Sequence, residues 1–120
     1  MGQRLPRLSH PPVTSADARR VENRQRLREF LRATPREEAE SRVELLGLTP
    51  GAPGVVVTRA WLTAAIEELR PQMRQVLRLT LEERRTRREA REYLHGISER
   101  TVEREQAAGL DELMDRAMGR

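Results

Sequence analysis

The segment from Thr86 to Met114 constrains the fold more than any other part of this chain. It reads TRREAREYLH, then GIS, then ERTVEREQAAGLDELM, with helix-forming residues on both sides of Gly96. Glycine adopts positive φ without a Cβ clash, so the chain can reverse sharply there. The pattern predicts two short helices joined by a tight turn, which is the outline of a helix-turn-helix.

Helix start signals flank this turn. Thr86 followed by Glu89 forms a capping box, and Ser98 is a favourable N-cap with Glu99 near the positive end of the helix dipole. We therefore expect a helix through Ala90 and Leu94 and a second one from Ser98. The second helix carries apolar residues at about helical spacing, namely Val102, Gly109, Leu110, Leu113 and Met114.

The rest of the chain also favours helices, which predicts an all-α fold. Residues 1–14, rich in proline and arginine, are expected to form an irregular basic arm. Helices are predicted over 15–33, from the Thr34 cap through Leu46, and after Thr58 and Pro71. The expected organisation is a flexible arm at 1–14, an N-terminal helical region and linker at 15–57, and a helix-turn-helix domain at 58–120.

The run of three valines and the apolar positions of the helices indicate which residues enter the core. Val55, Val56 and Val57 have the chemistry of a strand, but three residues without a visible partner predict only an extended lead-in. In the first helix, Ala18, Val21, Leu27, Phe30 and Leu31 fall near one face, and Trp61 is expected in the core.

Composition narrows the class of protein. The chain has 120 residues, no cysteine and a net charge of +4, and its basic residues are all arginine. No apolar run is long enough for a membrane span, so we expect a soluble cytoplasmic protein with no membrane partner. Two explanations of the all-arginine composition stay open: codon bias in a GC-rich genome, which we favour for the total, and the fit of arginine forks to phosphates and guanines. The positions of the arginines therefore carry the functional information.

Charge is distributed in blocks. Residues 1–36 hold nine arginines against three acids, and 71–97 hold seven against four, whereas 37–70 and 98–120 lean acidic. Blocks of this kind are typical of an electrostatic footprint for an anionic partner. The alternative that stays open is that mixed Arg and Glu residues merely solvate the helices.

Catalysis, metal binding and cofactor binding are not predicted. His10 and His95 are far apart, with no ligand cluster around either, and no glycine-rich phosphate loop precedes a helix. Pairs of glutamates such as Glu82 and Glu83 lie in solvated helical patterns. We therefore expect a protein that is not an enzyme.

The helix pair predicts a DNA-reading surface. Residues opposite the apolar stripe of the last helix would face a DNA groove, where arginine reads guanine and glutamate accepts from cytosine. Residues at the entrance to the first helix would meet backbone phosphates. The predicted DNA-binding residues are Arg84, Arg85, Arg87, Arg88, Ser98, Glu99, Arg100, Thr101, Glu103 and Arg104.

These residues also carry a family resemblance. LRPQMRQVLRL, GISERTVERE and GLDELM resemble the promoter-reading C-terminal domain of primary sigma factors, and the small phage late-transcription regulators of the ArpU and RinA type. The resemblance spans roughly 64–118. It implies that the helix from Ser98 is the recognition helix, that Arg100 and Glu103 face bases, and that the helix from Pro71 is the scaffold beneath.

The expected function is transcription regulation through double-stranded DNA. The alternative is a small factor, possible for a phage, that binds RNA polymerase or a sigma factor and acts through protein contacts; acidic residues on the last helix favour it. A third reading is a ring-forming DNA-packaging subunit. Many such motifs act as dimers, and the helix over 15–33 could supply a homodimer contact or equally pack on its own chain.

Overall fold

The computed structural model describes residues 15–33 and 38–119, and over these it is mostly helical. About 64% of the described residues are helical, in five α-helices and one π-helical turn, accompanied by a two-stranded sheet. The predicted arm at 1–14 lies outside the described residues. The elements are α1 Ala16–Ala33, β1 Arg42–Leu45, β2 Val55–Thr58, α2 Arg59–Glu67, α3 Pro71–Leu77, a π-helical turn Arg78–Glu82, α4 Arg87–Tyr93 and α5 Glu99–Ala117.

Helix α1 follows its prediction closely. Leu27 and Leu31 are buried in the core, whereas Val21, expected on the same face, is exposed. Asn23 is buried with both polar atoms of its side chain paired: its Nδ2 donates to the carbonyl of Leu46 at 2.9 Å and its Oδ1 accepts from the Leu46 amide at 2.7 Å. The amide side chain thus joins α1 to the chain that follows β1.

The sheet corrects the all-α prediction. The helix expected through Leu46 is wrong over Arg42–Leu45, which forms β1 and pairs antiparallel with β2, Val43 lying opposite Val57. The capping signal at 34–37 lies outside the described residues. The valines of β2 do have a partner, and burial at Leu45 and Val57 turns one face of the hairpin towards the helices.

Helices α2 and α3 start as predicted. The Thr58 hydroxyl accepts from the Trp61 amide at 3.0 Å, and Pro71 occupies the first turn of α3. Trp61 itself is a correction, since it lies at the surface with 36% of its area exposed. Helix α3 runs directly into the π-helical turn, which ends at Glu82.

A buried ion pair joins α2 to this turn. Arg59 Nη2 lies 3.0 Å from Glu82 Oε2, and both side chains are almost fully buried. Arg59 Nη1 also lies 3.5 Å from the carbonyl of Leu31 near the end of α1. One guanidinium therefore connects three elements that are distant in sequence.

Helix α5 is the central element of the core. Its second half buries Leu110, Leu113 and Met114 completely, against α1, α2 and α3. Gly109 allows the approach to α3, because a Cβ there would lie 2.9 Å from the side chain of Leu77. Among the described residues, no helix is both long and apolar enough to cross a membrane.

Candidate nucleic-acid interface

The candidate interface is built on α4 and α5, which turn against each other at Gly96. The Thr86 hydroxyl accepts from the Glu89 amide at 3.1 Å, and the Glu89 carboxylate accepts from the Thr86 amide at 2.9 Å. Gly96 has φ +88°, and the Ser98 hydroxyl then accepts from the Thr101 amide at 3.0 Å. Both predicted caps and the glycine reversal are present.

A small apolar cluster, called here the turn cluster, holds the two helices on α3. It consists of the buried residues Val76, Leu79, Ala90 and Val102, with Leu94 and Ile97 packed against it. Val102 is buried, as its place in the apolar stripe predicts, and Ile97 packs against the cluster from the turn between the helices. The turn cluster therefore fixes which side of α5 faces outward.

The outward side of α5 carries the four predicted groove-facing residues. Glu99, Arg100, Glu103 and Arg104 are all exposed, while Thr101 is half-buried. The Ser98 hydroxyl lies 3.1 Å from that of Thr101, so both hydroxyls are partly occupied with each other.

The charged side chains on the outward side of α5 are only partly paired. Glu103 Oε2 lies 2.8 Å from Arg87 Nη1, so an α4 arginine offsets the carboxylate that would repel an anion. Arg100 and Arg104 form no ion pair within residues 15–33 and 38–119. The first turns of α5 thus present Arg100 and Arg104 without an ion-pair partner, beside Glu99, an exposed carboxylate that also forms no ion pair within the described residues.

The arginines predicted to contact phosphate do not form a single row. Arg84 has φ +57°, and its Nε donates to the carbonyl of Arg32 at 2.6 Å, which ties it to α1. Arg88 is well exposed and only loosely paired, 4.0 Å from Glu92. The guanidinium of Arg88 is therefore more accessible to an anion in solution than that of Arg84.

Arg85 is occupied on two sides. Its Nε donates to Glu83 at 3.0 Å, and its guanidinium lies 5.1 Å from the centre of the Tyr93 ring. The hydrogen bond to Glu83 raises the pKa of Arg85, with a smaller contribution from the charge of the same carboxylate. Tyr93 is exposed, so this cation–π pair forms part of the surface of α4.

Sequence reasoning marked 1–36 as a basic block but did not place α1 beside the α4–α5 pair. The structure places Arg28 and Arg32 of α1 beside Arg87 and Glu103, across a groove between α1 and the α4–α5 pair. A signal was present, because four arginines of α1 recur at intervals of four and so share one helix face: Arg20, Arg24, Arg28 and Arg32. The first two of these meet the acids of α5 at Asp111 and Asp115.

No metal-binding group is apparent in the described part of the chain: no three His, Asp or Glu side chains come together there in a way that could hold an ion. His95 lies exposed in the turn, directly before Gly96.

Comparison of the chain with protein-family models, with curated proteins and with solved structures gave no match. The resemblance to sigma factor domains is therefore supported only by the residues of this chain, and the functional interpretation depends on the geometry above.

Proposed function

We propose that this protein is a double-stranded DNA-binding transcription regulator in which α4 and α5 act as a helix-turn-helix. Helix α5 would be the recognition helix, and α4 would lie across the DNA backbone. The single observation that carries the proposal is the position of Arg100 and Arg104. Both are exposed on the first turns of α5 without an ion pair among the described residues, opposite the buried Val102.

This geometry predicts which residues contact bases and which contact phosphates. Arg100 and Arg104 would reach base edges, where an arginine fork suits the O6 and N7 atoms of guanine. Glu103 could accept from cytosine N4, and its contact with Arg87 would hold it in place. Arg88, exposed beside the α4 N-terminus, would contact a phosphate.

The test begins with selection of preferred sequences from a random duplex library, followed by affinity measurement by fluorescence anisotropy. On a selected site, Arg100→Ala should lose about 1–3 kcal/mol of binding free energy and relax the preference at one base pair. Thermal unfolding should be unchanged, because Arg100 is exposed. Arg42→Ala is the matched control, since Arg42 is also exposed but lies on β1. Equal effects of the two substitutions would contradict DNA readout by α5.

Arg88→Ala tests the phosphate contact separately. It should weaken binding to all sequences alike and reduce the slope of log K against log salt by about one contact. A loss confined to the selected site, with the salt slope unchanged, would instead assign Arg88 to base recognition.

Binding to RNA polymerase or a sigma factor is the second candidate function. It is favoured by two exposed aromatic side chains, Tyr93 and Trp61, since aromatic residues are enriched in protein interfaces. Under this function, the protein would retain polymerase from a bacterial lysate after nuclease digestion, and Tyr93→Ala would reduce the amount retained. Loss of polymerase on nuclease treatment would favour DNA as the direct partner.

A further inference from the structure

A basic groove of about 680 Å³ lies between α1 and the α4–α5 pair. Five guanidinium groups and a single carboxylate line it, and we call it the arginine groove. The charged lining residues are Arg24, Arg28, Arg32, Arg85, Arg87 and Glu103. Such an excess of one charge in a concave site concentrates ions of the opposite sign.

Ion pairs offset only part of this charge. Three of the five arginines have a carboxylate partner within about 3 Å: Arg24 with Asp111, Arg85 with Glu83, and Arg87 with Glu103. Arg28 and Arg32 form no ion pair within the described ranges, which leaves a net positive charge in the groove.

Arg28 is held in place by neutral groups. Its Nε donates to Gln106 Oε1 at 3.0 Å and its Nη1 donates to Gln25 Oε1 at 2.8 Å. Burial lowers the pKa of Arg28, and the positive charges of Arg24 and Arg32 lower it further. The side chain stays charged near neutral pH, and amide partners orient it without neutralising it.

The groove floor is preorganised through Gln106. Its Nε2 donates to the Thr80 hydroxyl at 2.9 Å, and that hydroxyl donates to the carbonyl of Val76 at 2.7 Å. Thr80 is buried in the π-helical turn. This chain of hydrogen bonds connects the α3 backbone to Arg28, so the guanidinium position is set before any ligand arrives.

We infer that the arginine groove is a phosphate-binding site, with Arg28 and Arg32 as its main contacts. Arginine forks form charge-assisted, often bidentate hydrogen bonds with phosphate oxygens. Glu103 and Ala107 line the groove and belong to α5, so the groove opens beside the exposed side of that helix. The phosphates could belong to a DNA backbone lying along α5 or to a free polyphosphate; only the first source rests on the proposed function.

Isothermal titration calorimetry of the full chain with sodium tripolyphosphate at low salt tests phosphate binding in the groove without any DNA present. Arg28→Gln and Arg32→Gln should each weaken binding about tenfold or more, because each removes a charge-assisted hydrogen bond. Arg42→Gln removes the same charge from β1 and should have little effect. Arg32 is exposed, so its variant tests the site even if Arg28→Gln perturbs the fold.

Two results would overturn the inference: no binding of tripolyphosphate by the wild-type chain, or equal loss in the groove variants and Arg42→Gln. A parallel binding measurement with duplex DNA identifies the source of the phosphates. If Arg28→Gln weakens tripolyphosphate binding and also lowers the salt slope on a duplex, the groove takes DNA phosphates.

If tripolyphosphate binding depends on Arg28 but no duplex binds, the groove inference stands for a free polyphosphate and the proposed DNA function fails. If a duplex binds through Arg100 while neither ligand depends on Arg28 or Arg32, the groove inference fails and the proposed function stands.

Discussion

The described part of the protein has two apolar clusters of very different size. The larger one, here the main cluster, joins α1, the hairpin, α2, α3 and α5 through thirteen buried residues, whereas the turn cluster under α4 contains four. Helix α5 belongs to both, with Val102 in the turn cluster and Leu110 and Leu113 in the main cluster. Because stabilisation grows with buried apolar area, the two ends of one helix are held with unequal strength.

The main cluster supplies most of the buried apolar area, whereas the turn cluster lies beneath the candidate interface. The main cluster is accompanied by the buried pair of Arg59 and Glu82, in which the arginine serves the structure and is not available to a partner. The end of α5 that packs in the turn cluster carries Arg100 and Arg104 on its outward side, exposed and unpaired within the described ranges. Regions with few buried contacts open most readily, so α4 and the turn should be the first part of the helical core to unfold locally.

The largest expected effect is the loss of the buried ion pair. Arg59→Met leaves the Glu82 carboxylate buried without its partner and should cost about 3–5 kcal/mol of unfolding free energy. Urea denaturation measures it. The double variant Arg59→Met/Glu82→Leu should recover most of this loss, because no uncompensated charge remains. A double variant as unstable as the single one would show that the main cluster needs the pair itself.

Removing packing from the turn cluster should have a smaller and more local effect. Val102→Ala deletes two methyl groups from a fully buried site and should cost about 1–3 kcal/mol. Hydrogen exchange should show faster exchange of α4 amides, with α1 amides near Leu27 and Leu31 nearly unchanged. Uniform acceleration across both helices would mean that the two clusters unfold as one unit.

The smallest effect is expected at the glycine turn. Gly96→Ala introduces a Cβ that meets no atom within 4 Å, so its cost is backbone strain at φ +88°, about 1 kcal/mol by thermal unfolding. Gly51 offers a matched control, since it has φ +84° and equally open space in the turn between the strands. Both alanine variants should lose similar stability, but only Gly96→Ala should weaken DNA binding.

The α4–α5 pair could be predicted in some detail because its signals are local. Thr86, Ser98 and Gly96 each act on backbone groups within about four residues, and the buried positions of α5 follow its own helical period. The same holds for the Thr58 cap of α2 and for the start of α3 at Pro71. Which side of α5 faces solvent was therefore readable from the chain itself.

The hairpin shows where local signals were insufficient. Arg42 to Leu45 alternates between exposed and more buried positions, but four residues are too few to exclude a helix when the partner strand lies ten positions further on. The pairing of β1 with β2 was decided by burial of Leu45 and Val57 against the helices. An isolated run of valines gives no information about its partner.

The amino-acid sequence by itself determined the helix caps, the reversal at Gly96 and the outward residues of α5, because these depend on neighbours along one helix. Tertiary structure alone decided that Arg59 is buried against Glu82 while Arg28 lines an open groove with Arg87. Arg59 begins the mostly apolar α2 and Arg28 lies in the strongly charged α1, but neither segment identifies the group that its arginine contacts. Their environments depend on residues tens of positions away, which come together only when the helices pack.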